Sequence, residues 1–208
     1  MDSFQLIETM RVSDRGEVYV LDRHLDRLTR SARHFHFECD PGRVREAILR
    51  AIPAGGNVSL RFLLEMDGSV EVQAGPLPIG YVERLKLSKL RVDSADEFLY
   101  HKTTNRGIYE AARRESDDAS DVILVNERGE ITETTIMNIA VFRAGRWVTP
   151  SASCGLLPGV MREELLARNE IVEGVIRTDE LQDGEFVRCF NALRGTVEVG
   201  LVAPEHGV

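Results

Sequence analysis

One lysine in this sequence stands where its amine could act as a nucleophile. Lys102 lies between an apolar run at residues 98–100 and the predicted start of a helix at residue 108. A lysine at such a border loses part of its solvation, which lowers the pKa of its ammonium group. The neutral amine is then able to form an imine with a carbonyl compound. For a lone lysine the ordinary alternative is a solvated surface group, so the neighbouring residues decide between the two.

A glycine-rich helix entry is the second feature that could do chemistry. Gly155-Leu-Leu-Pro158-Gly159 leads into an amphipathic segment that begins with Val160 and Met161. The first turn of a helix presents unpaired N–H groups and the positive end of the helix dipole, which together suit a phosphate group. Two other residues have no special signal when each is taken alone. Arg27 is then predicted to be a solvated residue on a helix, and Glu133 is predicted to be an exposed residue at the end of a strand.

The composition excludes several classes of function. The chain has 208 residues, of which 43% are hydrophobic and 29% are charged, as in an ordinary soluble protein. Its net charge of −8 argues against nucleic-acid binding, so an anionic ligand has to be met by a local group of arginines. Three distant cysteines indicate neither a metal site nor a disulfide framework. No apolar run of membrane-spanning length and no signal peptide are visible, and we expect a cytoplasmic protein.

The elements that must position these groups predict an α+β protein with two lobes. A proline- and glycine-rich stretch, Gly75-Pro-Leu-Pro78-Ile-Gly80, separates a small lobe at residues 1–74 from a larger β-rich lobe at residues 81–208, which carries Lys102. Periodicity predicts strands in the small lobe at 4–10, 17–21, 58–65 and 69–74, and helices from residue 22 or 23 to 35 and at 41–52. It predicts strands in the larger lobe at 85–92, 121–125, 147–150, 171–178 and 185–191, and helices at 108–114 and after Gly159.

Several segments resemble one known family in the same order along the chain. Lys102-Thr-Thr-Asn105-Arg106 resembles the lysine segment of the fold-type IV pyridoxal-phosphate enzymes, the class IV aminotransferase family. Leu6-Ile-Glu8-Thr9 and His24-Leu-Asp-Arg27-Leu28 resemble the strand and helix that precede that lysine. Glu133 lies in a matching Thr-Glu-x-Thr-x-x-Asn strand and turn, and the glycine-rich helix entry matches as well. The resemblance covers roughly residues 4 to 200.

The resemblance implies a site for pyridoxal 5'-phosphate in the cleft between two lobes. Lys102 would be the catalytic residue and would hold the cofactor, while Glu133 would pair with its pyridine nitrogen. Arg27 and the backbone amides of Val160 and Met161 would bind its phosphate. The turn Asn191-Ala-Leu193 would complete that phosphate cup with backbone amides. Arg61, Arg106 and Arg194 are the candidates for binding a substrate carboxylate, and His24 is expected to be a structural histidine.

Within the family, Asn105-Arg106 and Asn191-Ala192-Leu193 resemble the aminodeoxychorismate lyase subgroup most. This implies elimination of pyruvate from 4-amino-4-deoxychorismate to give 4-aminobenzoate, a step of folate biosynthesis. An aminotransferase acting on branched-chain or D-amino acids is the alternative, and a non-catalytic pyridoxal-phosphate-binding protein is a third. The expected partners are a small anionic amino substrate and a second copy of the chain in a homodimer.

Overall fold

The computed structural model describes residues 3–79, 82–116 and 119–202. Its contacts divide the chain into two compact units. The first unit comprises the described residues up to Ile79 together with His101–Asn105 and Ala192–Arg194. The remaining described residues form the second unit. Gly80, the last residue of the predicted boundary segment, lies outside the described residues.

The first unit contains a three-stranded antiparallel sheet and two helices. The sheet has the strand order β1-β2-β3, with β1 at Leu6–Val12, β2 at Val58–Leu64 and β3 at Val70–Pro76. Helix α1 spans Leu21–Phe35 and helix α2 spans Pro41–Arg50. Alternate residues of β1 and β2 pack against the apolar faces of the helices, because successive side chains of a strand point to opposite faces. This core includes Leu6, Met10, Leu25, Leu28, Ile48, Leu60, Phe62 and Leu64.

Both helices begin as their sequences predict, but the strand predicted just before α1 is wrong. The Asp40 side chain accepts hydrogen bonds from the backbone N–H groups of the first turn of α2, and Pro41 takes the first helical position, where it needs no N–H partner. At residues 17–21 only Val18 pairs, in an isolated bridge with Val12. Val20 has a left-handed backbone with φ of 47°, which turns the chain directly into α1. The apolar run 18–21 has strand composition but serves as a helix entry.

The second unit is built on one eight-stranded mixed sheet. The strands are β4 at Arg84–Val92, β5 at Asp121–Asn126, β6 at Ile131–Thr134, β7 at Asn138–Arg143, β8 at Arg146–Pro150, β9 at Val172–Gly174, β10 at Phe186–Asn191 and β11 at Gly195–Val202. The strand order is β6-β5-β4-β11-β10-β7-β8-β9, in which β4 pairs in parallel with both β5 and β11. Helix α3 (Gly107–Arg113) covers β4 and β5, and helix α4 (Val160–Ala167) packs on β10.

The strand and turn that the resemblance implied around Glu133 are the strands β6 and β7 joined by a turn at residues 135–137. Two features differ from the sequence prediction. The strand predicted at 171–178 extends only over β9, Val172–Gly174. Strand β11 was not predicted, although Val197, Val199 and Leu201 alternate with other residues as a strand requires. Within the described residues, no helix is both long and apolar enough to cross a membrane.

Candidate functional site

The Lys102 segment is held by backbone hydrogen bonds to the first strand of the chain. The N–H of Ile7 donates to the carbonyl oxygen of Lys102 at 2.9 Å, and the N–H of Thr104 donates to the carbonyl of Gln5 at 2.9 Å. The N–H of Gln5 donates in turn to Oγ1 of Thr104 at 2.8 Å. These bonds place residues 101–105 in the first unit, whereas the sequence had assigned Lys102 to the larger lobe. The physical reason is the pairing with β1, about a hundred residues away along the chain.

The same helix that carries Arg27 also contacts the residue before Lys102. Oγ of Ser31 lies 2.9 Å from Nδ1 of His101, and the rings of His34 and His101 stack with centroids 4.4 Å apart. Ser31 follows Arg27 by four residues, so both lie on one face of α1. The phosphate-binding candidate and the contact for the lysine segment therefore share one rigid element.

Arg27 is buried in an ion cluster with Glu8 and His24. Its Nε and Nη2 atoms donate to the two carboxylate oxygens of Glu8 at 2.9 and 2.6 Å, and Nδ1 of His24 lies 2.6 Å from Oε2 of the same carboxylate. This bidentate pairing fixes the plane of the guanidinium group. Glu8 engages two of its five N–H donors, and the planar group has further donors that suit a phosphate.

The cluster shifts the pKa values of both groups that face Arg27. Burial alone would raise the pKa of Glu8, but the charges and hydrogen bonds of Arg27 and His24 outweigh it and lower the pKa to about 2. Burial lowers the pKa of His24, and the positive charges of Arg27 and Lys102 lower it further against the opposing effect of Glu8. Glu8 is therefore a carboxylate at neutral pH. His24 is a buried partner of Glu8, in keeping with the structural role expected for it.

In the second unit, Glu133 is a buried carboxylate that accepts hydrogen bonds from Tyr109, Leu157 and Asn138. The hydroxyl of Tyr109 and the backbone N–H of Leu157 donate to its Oε1 at 2.9 and 3.0 Å. The side-chain amide of Asn138 donates to its Oε2 at 3.1 Å. Only 5% of Glu133 is exposed, so the alternative of a solvated residue at a strand end is wrong. A carboxylate is buried in this way when its charge is matched by donors.

Asn138 connects this carboxylate to the helix entry. Its Nδ2 atom also donates to the carbonyl of Leu157 at 2.8 Å. A Cβ atom placed on Gly159 would lie 2.0 Å from Oδ1 of Asn138, so a larger residue at this position would displace that amide. Gly159 is the N-cap residue of α4, and no side chain caps the helix there. The N–H groups of Val160 and Met161, the two predicted phosphate donors, thus lie in a first turn that offers N–H donors to an anion.

Helix α4 is anchored by Arg162, to which sequence analysis gave no role. Its Nη2 atom donates to the carbonyl of Pro150 at 2.8 Å and pairs with Glu173. Arg162 is buried, and it ties the first turn of α4 to β8 and β9.

The predicted turn at Asn191 closes the hairpin of β10 and β11. Asn191 pairs with Gly195 across the hairpin, and its Nδ2 atom donates to the carbonyl of Ile136 at 3.1 Å. This bond joins the end of β10 to the turn that follows Glu133. Leu193 lies at the tip of the loop, which groups with the first unit.

The three arginines predicted to bind substrate have different surroundings. Arg61 is exposed on β2 and points away from the core that Leu60 and Phe62 enter. Arg106 donates to the carbonyl of Thr135 and lies over the ring of Tyr109, with 4.6 Å from Cζ to the ring centroid. Arg194 is half-buried in the hairpin loop.

Sequence analysis assigned no role to two residues that surround the predicted groups. Glu8 was noted only as part of a strand motif, and Tyr109 lies within the predicted helix at 108–114 without being singled out. The signal for Glu8 was a carboxylate within a predicted strand. For Tyr109 no local signal existed, because its partner Glu133 is 24 residues further along the chain.

The residues fit a phosphorylated pyridine aldehyde. Such a group needs an amine, a buried carboxylate for its ring nitrogen, and N–H donors for its phosphate. Lys102 and Arg27 supply an amine and a fixed guanidinium group in the first unit. Glu133 and the first turn of α4 supply a buried carboxylate and backbone donors in the second unit. Each of these groups is held by contacts within its own unit.

Comparisons with known proteins agree with this chemistry. The sequence model of the family described as amino-transferase class IV matches residues 5–202, and the chain therefore belongs to this family. A Schizosaccharomyces pombe protein named "Putative aminodeoxychorismate lyase" is 34% identical over 220 residues, which cover 99% of this chain and 93% of that protein. A crystal structure titled as a "Putative amino-acid aminotransferase" from Mesorhizobium loti has 39% identity and a TM-score of 0.88, covering 96% of this chain and 100% of that one. The 4-amino-4-deoxychorismate lyase of Pseudomonas aeruginosa shares the fold, with a TM-score of 0.83 at 21% identity over 95% of this chain and 83% of that chain.

Family membership confirms four predictions from the sequence. These are the family itself, the α+β fold of the fold-type IV enzymes, an enzymatic rather than a purely binding role, and pyridoxal phosphate as the cofactor. The relatives include both lyases and aminotransferases, so membership alone leaves the reaction open between these two.

Proposed function

We propose that this protein is a lyase that eliminates pyruvate from 4-amino-4-deoxychorismate and releases 4-aminobenzoate. The observation that carries the proposal is the environment of Glu133, a buried carboxylate that three donors hold in one orientation. Such a group suits a protonated aromatic nitrogen. When it is bound, pyridoxal phosphate supplies a protonated ring that withdraws electrons from the α-carbon of the substrate.

In this proposal each predicted residue has one task. Lys102 would hold the cofactor covalently through its amine, and its Nζ would move the α-proton of the substrate. Glu133 keeps the ring nitrogen protonated. Arg27 binds the phosphate, as do the backbone N–H groups of Val160 and Met161 and those of the turn between Asn191 and Leu193.

The substrate carboxylates need cations, and three arginines are the candidates. Arg106 is the most firmly placed of them, because the Thr135 carbonyl and the Tyr109 ring fix its guanidinium group. We assign it the first contact with a substrate carboxylate, whereas Arg61 and Arg194 remain secondary candidates. The similarity to the Schizosaccharomyces pombe protein supports a lyase substrate over other amino acids.

Amino transfer is the second candidate function. The 39% identity to the Mesorhizobium loti protein favours it. An aminotransferase would use Lys102, Arg27 and Glu133 in the same way, and the difference would lie in the substrate and in a second half-reaction with a keto acid.

Two assays on the same preparation separate the candidates. Pyruvate release from 4-amino-4-deoxychorismate is followed by its reduction with lactate dehydrogenase, and 4-aminobenzoate is quantified by chromatography. Amino transfer from branched-chain and D-amino acids to 2-oxoglutarate is measured in parallel. We expect pyruvate and 4-aminobenzoate in equal amounts. Amino transfer without pyruvate release would refute the lyase in favour of the aminotransferase. If the protein showed neither activity, both candidate functions would be refuted.

Covalent labelling tests the lysine independently of turnover. Borohydride reduction of the cofactor-loaded protein followed by peptide mapping should place the pyridoxyl group on Lys102. A label on another lysine would remove Lys102 from the proposal. The control variant Lys89→Ala removes a lysine of β4 and should leave the label in place.

We also propose that the protein works in the cytoplasm as a homodimer. The family resemblance supports the dimer. The absence of disulfide spacing among the three cysteines supports a reducing compartment.

A further inference from the structure

Tyr109 contacts the carboxylate that is proposed to meet the cofactor ring. Its hydroxyl donates to Oε1 of Glu133 at 2.9 Å, and both side chains are buried. The backbone N–H of Leu157 donates to the same oxygen at 3.0 Å, while Asn138 donates to Oε2 at 3.1 Å. Of these three donors, only the Tyr109 hydroxyl can be removed without changing the backbone or the Asn138 amide that fits against Gly159.

The surroundings of Tyr109 keep it a proton donor. Burial and the neighbouring charge of Glu133 raise the pKa of the Tyr109 phenol well above 10, so it is neutral at physiological pH. The guanidinium group of Arg106 lies over the Tyr109 ring at 4.6 Å and draws electron density from it, which strengthens the hydroxyl as a donor. Arg106 is itself fixed by the carbonyl of Thr135.

A neutral donor to a carboxylate stabilises the ionised form of that carboxylate. If Glu133 took up the proton of the pyridine nitrogen, the ring would become neutral and would withdraw electrons less strongly. A bond that favours ionised Glu133 therefore keeps the shared proton on the ring. The bond also fixes the rotation of the carboxylate group, which decides where the charge of Glu133 points.

We propose that Tyr109 is a positioning residue that holds the Glu133 carboxylate ionised and in a fixed orientation toward the pyridine nitrogen of the cofactor. This inference rests on the proposed function, because it requires that Glu133 meets that nitrogen. Tyr109 acts through Glu133 and not on the substrate.

The test follows the ring nitrogen directly. Tyr109→Phe removes the hydroxyl and keeps the ring that packs beneath Arg106. The variant is loaded with pyridoxal phosphate carrying ¹⁵N in the ring, and the ¹⁵N chemical shift is measured at neutral pH, where it reports how the proton is shared between the ring nitrogen and Glu133. Loss of a hydrogen bond to a charged group should shift this sharing toward Glu133 by about tenfold or more, so the signal should move from that of a protonated ring toward that of a neutral ring. Tyr100→Phe, which removes a hydroxyl that donates to the Ser94 carbonyl, should match the parent.

Glu133→Gln separates failure of the inference from failure of the proposed function. If Glu133→Gln leaves the nitrogen signal unchanged, Glu133 does not meet the ring, and both the proposed role of Glu133 and this inference are refuted. If Glu133→Gln moves the signal and Tyr109→Phe does not, the inference alone is refuted. Should Tyr109→Phe fail to fold by circular dichroism, 3-fluorotyrosine at position 109 provides a stronger donor of similar shape. It should then move the signal further toward that of a protonated ring, and an unchanged signal would refute the inference.

Discussion

The buried carboxylate of Glu8 makes a quantitative prediction about stability. Its pKa falls from 4.5 to about 2 on folding, and at about 1.4 kcal/mol per pH unit this contributes about 3 kcal/mol to the free energy of unfolding. Because the folded-state pKa is the lower one, this contribution is complete above pH 4.5 and is lost as the pH falls toward 2. About 2 kcal/mol of it should be gone at pH 3.

Glu8→Gln removes this carboxylate and leaves the charge of Arg27 buried against a neutral amide. We expect the variant to lose about 3–5 kcal/mol at pH 7, the usual cost of breaking a buried ion pair. The measurement is urea unfolding of the cofactor-free protein at pH 7, 5 and 3, followed by circular dichroism. Between pH 5 and pH 3 the advantage of the parent over the variant should shrink by about 2 kcal/mol. Other carboxylates titrate in both proteins and cancel in this difference.

Glu46→Gln is the matched control, because Glu46 makes an exposed pair with Arg50 on α2. Such a pair contributes less than about 1 kcal/mol, and its removal should leave the pH dependence unchanged. If Glu8→Gln costs no more than Glu46→Gln at pH 7, or if its difference from the parent does not change with pH, the ion cluster does not stabilise the fold as reasoned here.

Three further predictions follow from the site. Gly159→Ala should cost about 1–3 kcal/mol in urea unfolding and weaken cofactor binding, because its Cβ would lie 2.0 Å from the Asn138 amide. The control is Gly107→Ala, whose Cβ meets nothing within 4 Å, and equal behaviour of the two variants would contradict the packing argument. Arg27→Lys keeps the charge beside Glu8 but loses the planar fork, so the cofactor dissociation constant from fluorescence titration should rise about ten- to a hundredfold, and an unchanged value would remove Arg27 from the phosphate contact. Light scattering should give a mass near twice 23.3 kDa, whereas a monomer at all concentrations would refute the proposed dimer.

Local patterns predicted most of the elements that carry the site. The stripe that includes Leu25 and Leu28 predicted α1, and Pro41 after Asp40 marked the start of α2. The run at 18–21 misled the prediction because strand propensity does not reveal the left-handed turn at Val20. The alternation in β11 was visible but was not used.

The neighbours of the site residues were harder to predict than the residues themselves. Motif spacing selected Lys102 and Glu133, but it could not show that Ile7 would hold the lysine segment or that Tyr109 would donate to the glutamate. Both contacts join residues that are far apart in sequence. Long-range pairing of this kind depends on the whole fold and leaves no local period. The ion pair that fixes Arg27 was missed for the same reason.

The pairing of the lysine segment with β1 also affects how the nascent chain folds. On the ribosome, β1 to β3 and both helices of the first unit are complete when Ile79 has been made, whereas the residues that cover β1 at Leu6 and Ile7 arrive only with 101–105. Synthesis of those roughly 25 residues takes on the order of 1–5 s. During that time the edge of β1 presents unpaired N–H and C=O groups, which are a template for aggregation. The segment that carries Lys102 is thus also the segment that closes this edge. We expect fragments that end near residue 79 to aggregate, and extension through Asn105 to restore solubility.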